Sequence, residues 1–143
     1  SVSLKLRGEL QKQGVKVVMT RETHDVNSGN VDRAKIGNDN KADLVIRIHA
    51  DGIDNKSVRG MSVLYPGGQY IEDKNVLKKS KSAAEKVIKA MAAETGAVNR
   101  GAIERNDLTG FNWSVVPVIL IEMGFMTNPE EDYLLNSSEY QDK

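Results

Sequence analysis

Two side chains with acid–base and metal-binding chemistry come directly after apolar segments of the chain. His49 follows residues 44–48 (Leu-Val-Ile-Arg-Ile), and Glu122 follows residues 118–121 (Val-Ile-Leu-Ile). Histidine is the most frequent metal ligand in proteins and carries protons near neutral pH. A carboxylate that follows an apolar run is costly to bury unless it is paired, bound to a metal or protonated. These two residues therefore predict a pocket that holds a histidine and a glutamate.

Each of these residues also has an ordinary structural interpretation. His49 is equally compatible with a histidine whose hydrogen bonds are satisfied at the end of a strand, and Glu122 with a salt bridge to a neighbouring Lys or Arg. Arg21 and Arg33 are more typical of side chains that brace loops through carboxylates such as Asp25. The residue type alone does not decide between the structural and the functional interpretation of each side chain.

Further along the chain, Arg100 and Asn112 are candidate substrate-binding residues. Arg100 lies in a predicted loop, where it either faces the pocket and binds a carboxylate or lies on the surface. Asn112 and Trp113 precede the last apolar segment, where they line a groove for substrate or cover the core. His24, the other histidine, is predicted to lie in a solvated polar loop.

The pattern of apolar residues predicts the elements that position these side chains. Four short apolar segments are predicted strands: residues 15–19, 44–48, 60–65 and 117–121. Helical signals occupy four others: residues 2–10 before Gly14, 31–38 after a capping Asn30, 75–94, and the start at Asn128-Pro129. The alternation predicts an α/β fold, a largely parallel twisted sheet with helices on both faces in a single domain. Since ligands bind beyond the carboxyl ends of parallel strands, Arg21, His49 and Glu122 are expected at one edge.

The composition restricts the class of protein further. A chain of 143 residues fits one domain, and its 20 basic and 20 acidic side chains leave no net charge. We therefore expect no nucleic-acid partner, because such binding requires a basic excess. No apolar run approaches the ~20 residues needed to span a bilayer, so no membrane insertion is expected. The absence of cysteine excludes disulfides and thiolate ligands. No glycine-rich phosphate loop follows residue 19 or 48, which disfavours a doubly wound small-molecule-binding domain.

Five short strings of residues occur in order across almost the whole chain. They are Thr20-Arg21…Asp25, Arg33…Asn38, Ala42-Asp43-Leu44…Ile48-His49-Ala50, Asn99-Arg100-Gly101, and Pro117-Val-Ile-Leu-Ile-Glu122-Met-Gly124-Phe125…Asn128…Glu131. Each string is weakly specific alone, whereas the ordered set is highly specific. Together they resemble the zinc-dependent N-acetylmuramoyl-L-alanine amidases, which cut bacterial peptidoglycan.

This resemblance implies a particular reaction and particular residue roles. A zinc ion would activate water against the amide that joins the lactyl group of N-acetylmuramic acid to L-alanine. The resemblance makes His49 a zinc ligand and Glu122 the catalytic acid/base. It also implies a secreted protein that acts on peptidoglycan at the cell wall. We expect it to be a monomer.

The sequence departs from the family's pattern at both ends. The family's other two zinc ligands lie in an Asp-Pro-Gly-His-Gly-Gly-like string and at the start of the first helix, and neither is present here. The family's first strand and long closing helix are absent too. We interpret residues 1–143 as an amidase catalytic domain that is incomplete at both ends, and expect the chain on its own to be inactive. The alternative is an inactive wall-binding or regulatory domain of the same fold.

Two substitutions near His49 also depart from the family's pattern. Asp51 stands where the family often has asparagine, and it is placed to orient the imidazole or to add negative charge near the metal. Arg47 replaces a small polar residue, and we expect its charged group in solvent.

Overall fold

The computed structural model of the chain describes residues 1–23 and 25–143, so the prediction for His24 lies outside the described residues. The helices are α1 (Val2–Lys12), α2 (Asn30–Asp39), α3 (Lys74–Thr95), α4 (Thr109–Asn112), α5 (Pro129–Leu135) and α6 (Ser138–Gln141). The strands are β1 (Val45–Asp51), β2 (Met61–Pro66), β3 (Asn99–Arg105) and β4 (Val118–Phe125). None of the helices described is long and apolar enough to cross a membrane.

The four strands form one sheet in the order β1-β4-β2-β3. The predicted largely parallel α/β sheet is confirmed, since β1 pairs with β4, and β2 with β3, in parallel. The central pair of β4 and β2 is antiparallel. One end of the sheet therefore combines the carboxyl ends of β1 and β4 with the amino ends of β2 and β3. We call this end, which carries His49, Glu122, Ser62 and Arg100, the site edge.

Helices cover both faces of the sheet, as predicted. Helix α3 packs on one face, where the buried core consists of Met61, Val63, Ala84, Ile88, Ile119 and Ile121. Helices α2 and α4 lie over the other face, where the core consists of Leu64, Phe111, Val118 and Leu120. The alternation of β4 side chains between these two cores places Glu122 on the same face as Val118 and Leu120. That face therefore carries the site.

The caps of the helices follow the local sequence. Helix α3 begins after Asp73, whose side chain accepts hydrogen bonds from two backbone N–H groups, and ends at Gly96 with φ of 72°. Helix α5 begins after Asn128, whose Oδ1 accepts from the N–H groups of Glu130 and Glu131. Pro129 at its first position has no N–H group to leave unpaired. Helix α5 was predicted from this cap and proline, and α3 was predicted from the apolar face of residues 75–94.

The predicted strand at residues 15–19 is wrong. The segment leaves α1 through a hydrogen bond from the Val15 N–H to the Leu10 carbonyl of 3.0 Å, and it joins no ladder of the described sheet. Val15 and Val18 each remain 47% exposed. β-branched residues favour a strand chiefly through packing and ladder hydrogen bonds, and this segment has no ladder and only partly buries Val17 and Met19.

Strand β3 was predicted as a loop, which is also wrong. Its residues are mostly exposed and polar, so the apolar alternation that indicates a strand is missing. Gly101 has φ of 91° and interrupts the run further. The strand forms because its backbone pairs with the buried strand β2.

Candidate active site

The predicted pair of His49 and Glu122 meets in the structure. The two residues are direct partners across the parallel strands β1 and β4. On its other side Glu122 is the partner of Ser62, across the antiparallel strands β4 and β2. Direct partners project from the same face of a sheet. Glu122 therefore lies between an imidazole and a hydroxyl, on an interior strand.

Glu122 faces a cavity of about 340 Å³ at the site edge. The other lining residues are Asp51, Ser62, Leu64, Arg100, Ile103, Arg105, Leu108, Leu120 and Phe125. The carboxylate is half-buried, and its Oε2 has no hydrogen-bond partner among the described residues. Burial, assisted by the Asp51 carboxylate and opposed by Arg105, raises the pKa of Glu122 to about 7. The group thus exchanges a proton near neutral pH.

Two arginines line this cavity, and they differ in whether a carboxylate pairs with them. Arg105 is committed to Asp107, to which it donates two hydrogen bonds of 2.7 and 2.6 Å. Arg100 lies over the Phe125 ring, 5.4 Å from its centre, and donates to the Arg59 carbonyl at 3.4 Å. No ion pair of Arg100 occurs within the described residues. Arg100 therefore keeps a positive charge free at the rim of the cavity.

The positive charges of three arginines act on His49, the strand partner of Glu122. The imidazole is exposed, yet partial burial and the charges of Arg47, Arg33 and Arg21 lower its pKa below the ordinary value of 6.5. A lowered pKa keeps the imidazole neutral at pH 7, with one nitrogen lone pair free. Neutral imidazole is the form that binds a metal.

Arg47 does not extend into solvent, contrary to the prediction. Its guanidinium packs against Gly110 of α4 and donates a hydrogen bond of 2.7 Å to Asn30 Oδ1. Arg33 donates to the same oxygen at 3.0 Å. Asn30 was predicted to cap α2, but Gly29 occupies that position and Asn30 begins the helix. The amide of Asn30 instead holds two arginines beside the site.

The predicted bracing of Arg21 and Arg33 by Asp25 does not occur. The ion pairs that join described residues include neither arginine. Arg33 Nε is buried and has no hydrogen-bond partner there. These charges therefore act on His49 without a compensating carboxylate in the described part of the chain.

Asn112 lies apart from the pocket of Glu122. It lines a second cavity of about 300 Å³, which shares no lining residue with the first. The remaining lining residues are Tyr70, Ile71, Glu72, Asp73, Val76, Trp113, Ser114 and Val115. Trp113 is 56% exposed, so it covers little of the core. The structure thus brings Arg100, but not Asn112, to the cavity that contains Glu122.

The described residues fit a zinc site only in part. His49 presents a neutral imidazole, and the carboxylate of Glu122 lies on the next strand. However, residues 1–23 and 25–143 contain no group of three His, Cys, Asp or Glu side chains that could hold a metal ion. A structural or catalytic zinc site requires at least three protein ligands. These residues alone therefore do not complete one.

Three residues of the site were missed by the sequence analysis. Ser62 and Arg105 reach the cavity only because β2 is antiparallel to β4 and β3 exists, and neither feature leaves a periodicity signal. Glu131 was noted only within the last string of residues. Its carboxylate is buried beside the end of β4, where it accepts two backbone hydrogen bonds. A buried acid in the first turn of a helix, two positions after the proline that begins it, has no distinct signal in one sequence.

An α/β domain with a carboxyl group that titrates near neutrality beside a neutral imidazole has the acid–base groups of a hydrolase. The family model described as N-acetylmuramoyl-L-alanine amidase matches residues 1–143, and the chain belongs to this family. The germination-specific N-acetylmuramoyl-L-alanine amidase of Bacillus subtilis (strain 168) is 28% identical over 99% of this chain and 62% of its own length. A probable cell wall amidase, LytH, of Staphylococcus epidermidis is 28% identical over 92% of this chain and 39% of its own length.

A solved structure shows the same fold. The N-acetylmuramoyl-L-alanine amidase from Clostridium difficile 630 superposes with a TM-score of 0.86 and 30% identity, over 99% of this chain and 72% of that one. The chain thus spans less than two thirds of the length of the two curated relatives. It nevertheless matches almost throughout its own length.

Proposed function

We propose that this chain takes part in hydrolysis of the amide bond between N-acetylmuramic acid and L-alanine in bacterial peptidoglycan. The observation that carries the proposal is Glu122, a half-buried carboxyl group with a pKa of about 7 that faces a cavity next to His49. Membership of the amidase family supports the choice of bond. The resemblance to a probable cell wall amidase supports action at the cell wall, outside the membrane.

Glu122 is proposed to carry the proton of the reaction. In the ionised form its carboxylate takes a proton from the water that attacks the amide carbonyl. In the protonated form it delivers that proton to the nitrogen of L-alanine as the C–N bond breaks, so the carboxylate is regenerated. A pKa near the working pH suits both transfers. The Asp51 carboxylate, which helps to raise this pKa, assists by keeping the protonated form available.

His49 is proposed to supply one ligand to a zinc ion. The support is chemical, since the surrounding arginines keep its imidazole neutral. When bound, zinc polarises the amide carbonyl and acidifies water. Because the described residues provide no group of three ligands, the proton transfers are assigned to Glu122 and no step is assigned to the metal.

Arg100 is proposed to bind a carboxylate of the peptide part of the substrate. Its free charge lies at the rim of the cavity that holds Glu122, and the Phe125 ring limits its movement. Asn112 as a substrate contact stays a prediction, and it requires the glycan or peptide to extend to the second cavity. We also expect the protein to act as a monomer.

A second candidate function is a non-catalytic domain that binds peptidoglycan or regulates another protein at the wall. The observation in its favour is that the described residues contain no group of three metal-ligating side chains. Such a domain would retain the cavity and Arg100 but would not cleave the amide.

Because residues 1–143 on their own are expected to be inactive, the test uses the protein as its host produces it. Incubation of that protein with purified peptidoglycan in the presence of zinc separates the two functions. Amide hydrolysis releases new N-terminal L-alanine, which is measured by dinitrophenyl labelling, without an increase in reducing sugar ends. The proposed hydrolysis predicts labelled L-alanine that increases with time. Sedimentation of the protein with the wall, without release of L-alanine, would instead support the binding domain.

A further inference from the structure

The Glu131 carboxylate fills a gap in the sheet directly beyond Glu122. The pairing of β2 with β4 ends at Ser62 and Glu122. Continued by two residues, the same register would set Gly60 opposite Gly124, but no such pair forms. Instead, Glu131 Oε1 accepts a hydrogen bond of 2.7 Å from the Gly60 N–H, and Oε2 accepts one of 2.7 Å from the Phe125 N–H. A side chain thus replaces the ladder at this point.

The backbone of β4 bulges at the same place. Between His49 and Asp51 strand β1 advances by two residues, while its partner on β4 moves from Glu122 to Phe125. Gly124, inside the bulge, has φ of 149°, a conformation that L side chains rarely adopt. Bulges beside active sites change the direction in which a neighbouring side chain points. The bulge here follows Glu122 by two residues.

Helix α5, which carries Glu131, fixes the position of its side chain. Only 8% of the residue is exposed, and a Cβ at Gly124 would lie 3.1 Å from Glu131 Oε2. Asn128 fixes the start of α5 through its cap, and its Nδ2 donates to the Lys56 carbonyl at 3.0 Å. The carboxylate therefore reaches both strands from a helix whose first turn is itself anchored.

We propose that Glu131 is a positioning residue for Glu122: it holds the bulge of β4 that directs the Glu122 carboxyl group into the cavity. Two buried N–H groups, that of Gly60 directly before β2 and that of Phe125 at the end of β4, share this one carboxylate, so its loss frees the end of β4 from the start of β2. Glu122 then gains freedom to turn away from the cavity. The inference rests on the proposed role of Glu122 in amide hydrolysis.

The test compares Glu131→Gln with Glu130→Gln in the protein as its host produces it. The amide of glutamine has one acceptor oxygen, so it retains at most one of the two backbone hydrogen bonds. Glu130 is the matched control, because it adjoins Glu131 but its side chain is 78% exposed and pairs with Arg59 at 3.2 Å. Glu131→Asp keeps the negative charge, but its side chain is one methylene shorter and does not reach both N–H groups. It replaces Glu131→Gln in the test if the glutamine variant does not fold.

Three measurements decide the outcome. In Glu131→Gln, hydrogen exchange at the Gly60 or Phe125 amide should accelerate, and kcat for L-alanine release should fall by ~10-fold or more with KM within about twofold. By NMR, the pKa of Glu122 should move from about 7 towards its ordinary value of 4.5 as water enters. Glu130→Gln should leave all three unchanged.

Two results would overturn the inference. One is faster exchange and lower thermal stability with the kcat and the pKa of Glu122 both unchanged, which would make Glu131 purely structural. The other is unchanged exchange in both Glu131 variants. If the unsubstituted protein releases no L-alanine, the proposed function fails, while the pKa of Glu122 still decides whether Glu131 positions it.

Discussion

The two sides of the candidate site differ in charge, yet they have the same effect on protonation. On the acidic side, burial and the Asp51 carboxylate raise the pKa of Glu122. On the basic side, burial and three arginines lower the pKa of His49. Both shifts favour the uncharged form of the residue near pH 7.

The contrast explains why two neighbouring groups of opposite charge type do not pair. His49 and Glu122 are direct strand partners, but Glu122 Oε2 has no hydrogen-bond partner in the described part of the chain. An ion pair between them would hold a proton on the histidine and remove it from the glutamate. The Asp51 carboxylate opposes a negative charge on Glu122, and the neighbouring arginines oppose a positive charge on His49, so the proton stays on the glutamate. The comparison indicates that the site maintains a free proton carrier and a free imidazole side by side.

The largest effect is expected on the acidic side, from Glu122→Gln. The amide is nearly isosteric but cannot take a proton from water, so kcat for L-alanine release should fall by ~100-fold or more. Zinc content and thermal unfolding at low pH should match the unsubstituted protein. Release of L-alanine at a near-normal rate would show that another group carries the proton.

On the basic side, His49→Ala should remove most of the bound zinc and the activity with it. A site with three protein ligands retains the ion poorly after it loses one. Metal analysis after dialysis measures the effect. One zinc per chain in the His49 variant would assign the ligand role elsewhere.

The stability of the two sides should depend differently on pH. The folded state holds a proton on Glu122 up to about pH 7, whereas a glutamate with the ordinary value releases it near 4.5. The favourable contribution of this group to folding is therefore complete below pH 4.5 and decreases as the pH rises to 7. Glu122→Gln, which does not titrate, should raise Tm relative to the unsubstituted protein at pH 8 but not at pH 4. An equal difference at both pH values would contradict the raised pKa.

The smallest effects are expected for the two predicted substrate-binding residues, Arg100 and Asn112, and they are changes in KM. Arg100→Gln should raise KM by roughly 2- to 5-fold with kcat unchanged, the size of an exposed charge interaction. Asn112→Ala, in the second cavity, should change KM less with a short muramoyl peptide than with intact peptidoglycan. Equal KM increases on the short substrate would place both residues at one binding site.

Much of the fold and the pair at its centre could be predicted from the sequence alone. The cap at Asn128 and the apolar face of residues 75–94 are local signals for helices, and apolar runs such as residues 118–121 identify buried strands, so these elements were predicted correctly. His49 and Glu122 were found because a polar residue at the end of an apolar strand has a high cost of burial. These inferences need only short stretches of chain.

What the tertiary structure decided depends on partners distant in sequence. Residues 15–19 have the composition of a strand but join no ladder, while β3 forms on the edge of β2 without an apolar pattern. The antiparallel pairing of β2 with β4 brings Ser62 to Glu122. Glu131 joins the N–H groups of Gly60 and Phe125, and it lies 71 positions from Gly60 in the sequence. The pKa of Glu122 likewise depends on burial and on Asp51, 71 positions away by number. Pairing and desolvation are properties of the folded arrangement, so local residue patterns do not determine them.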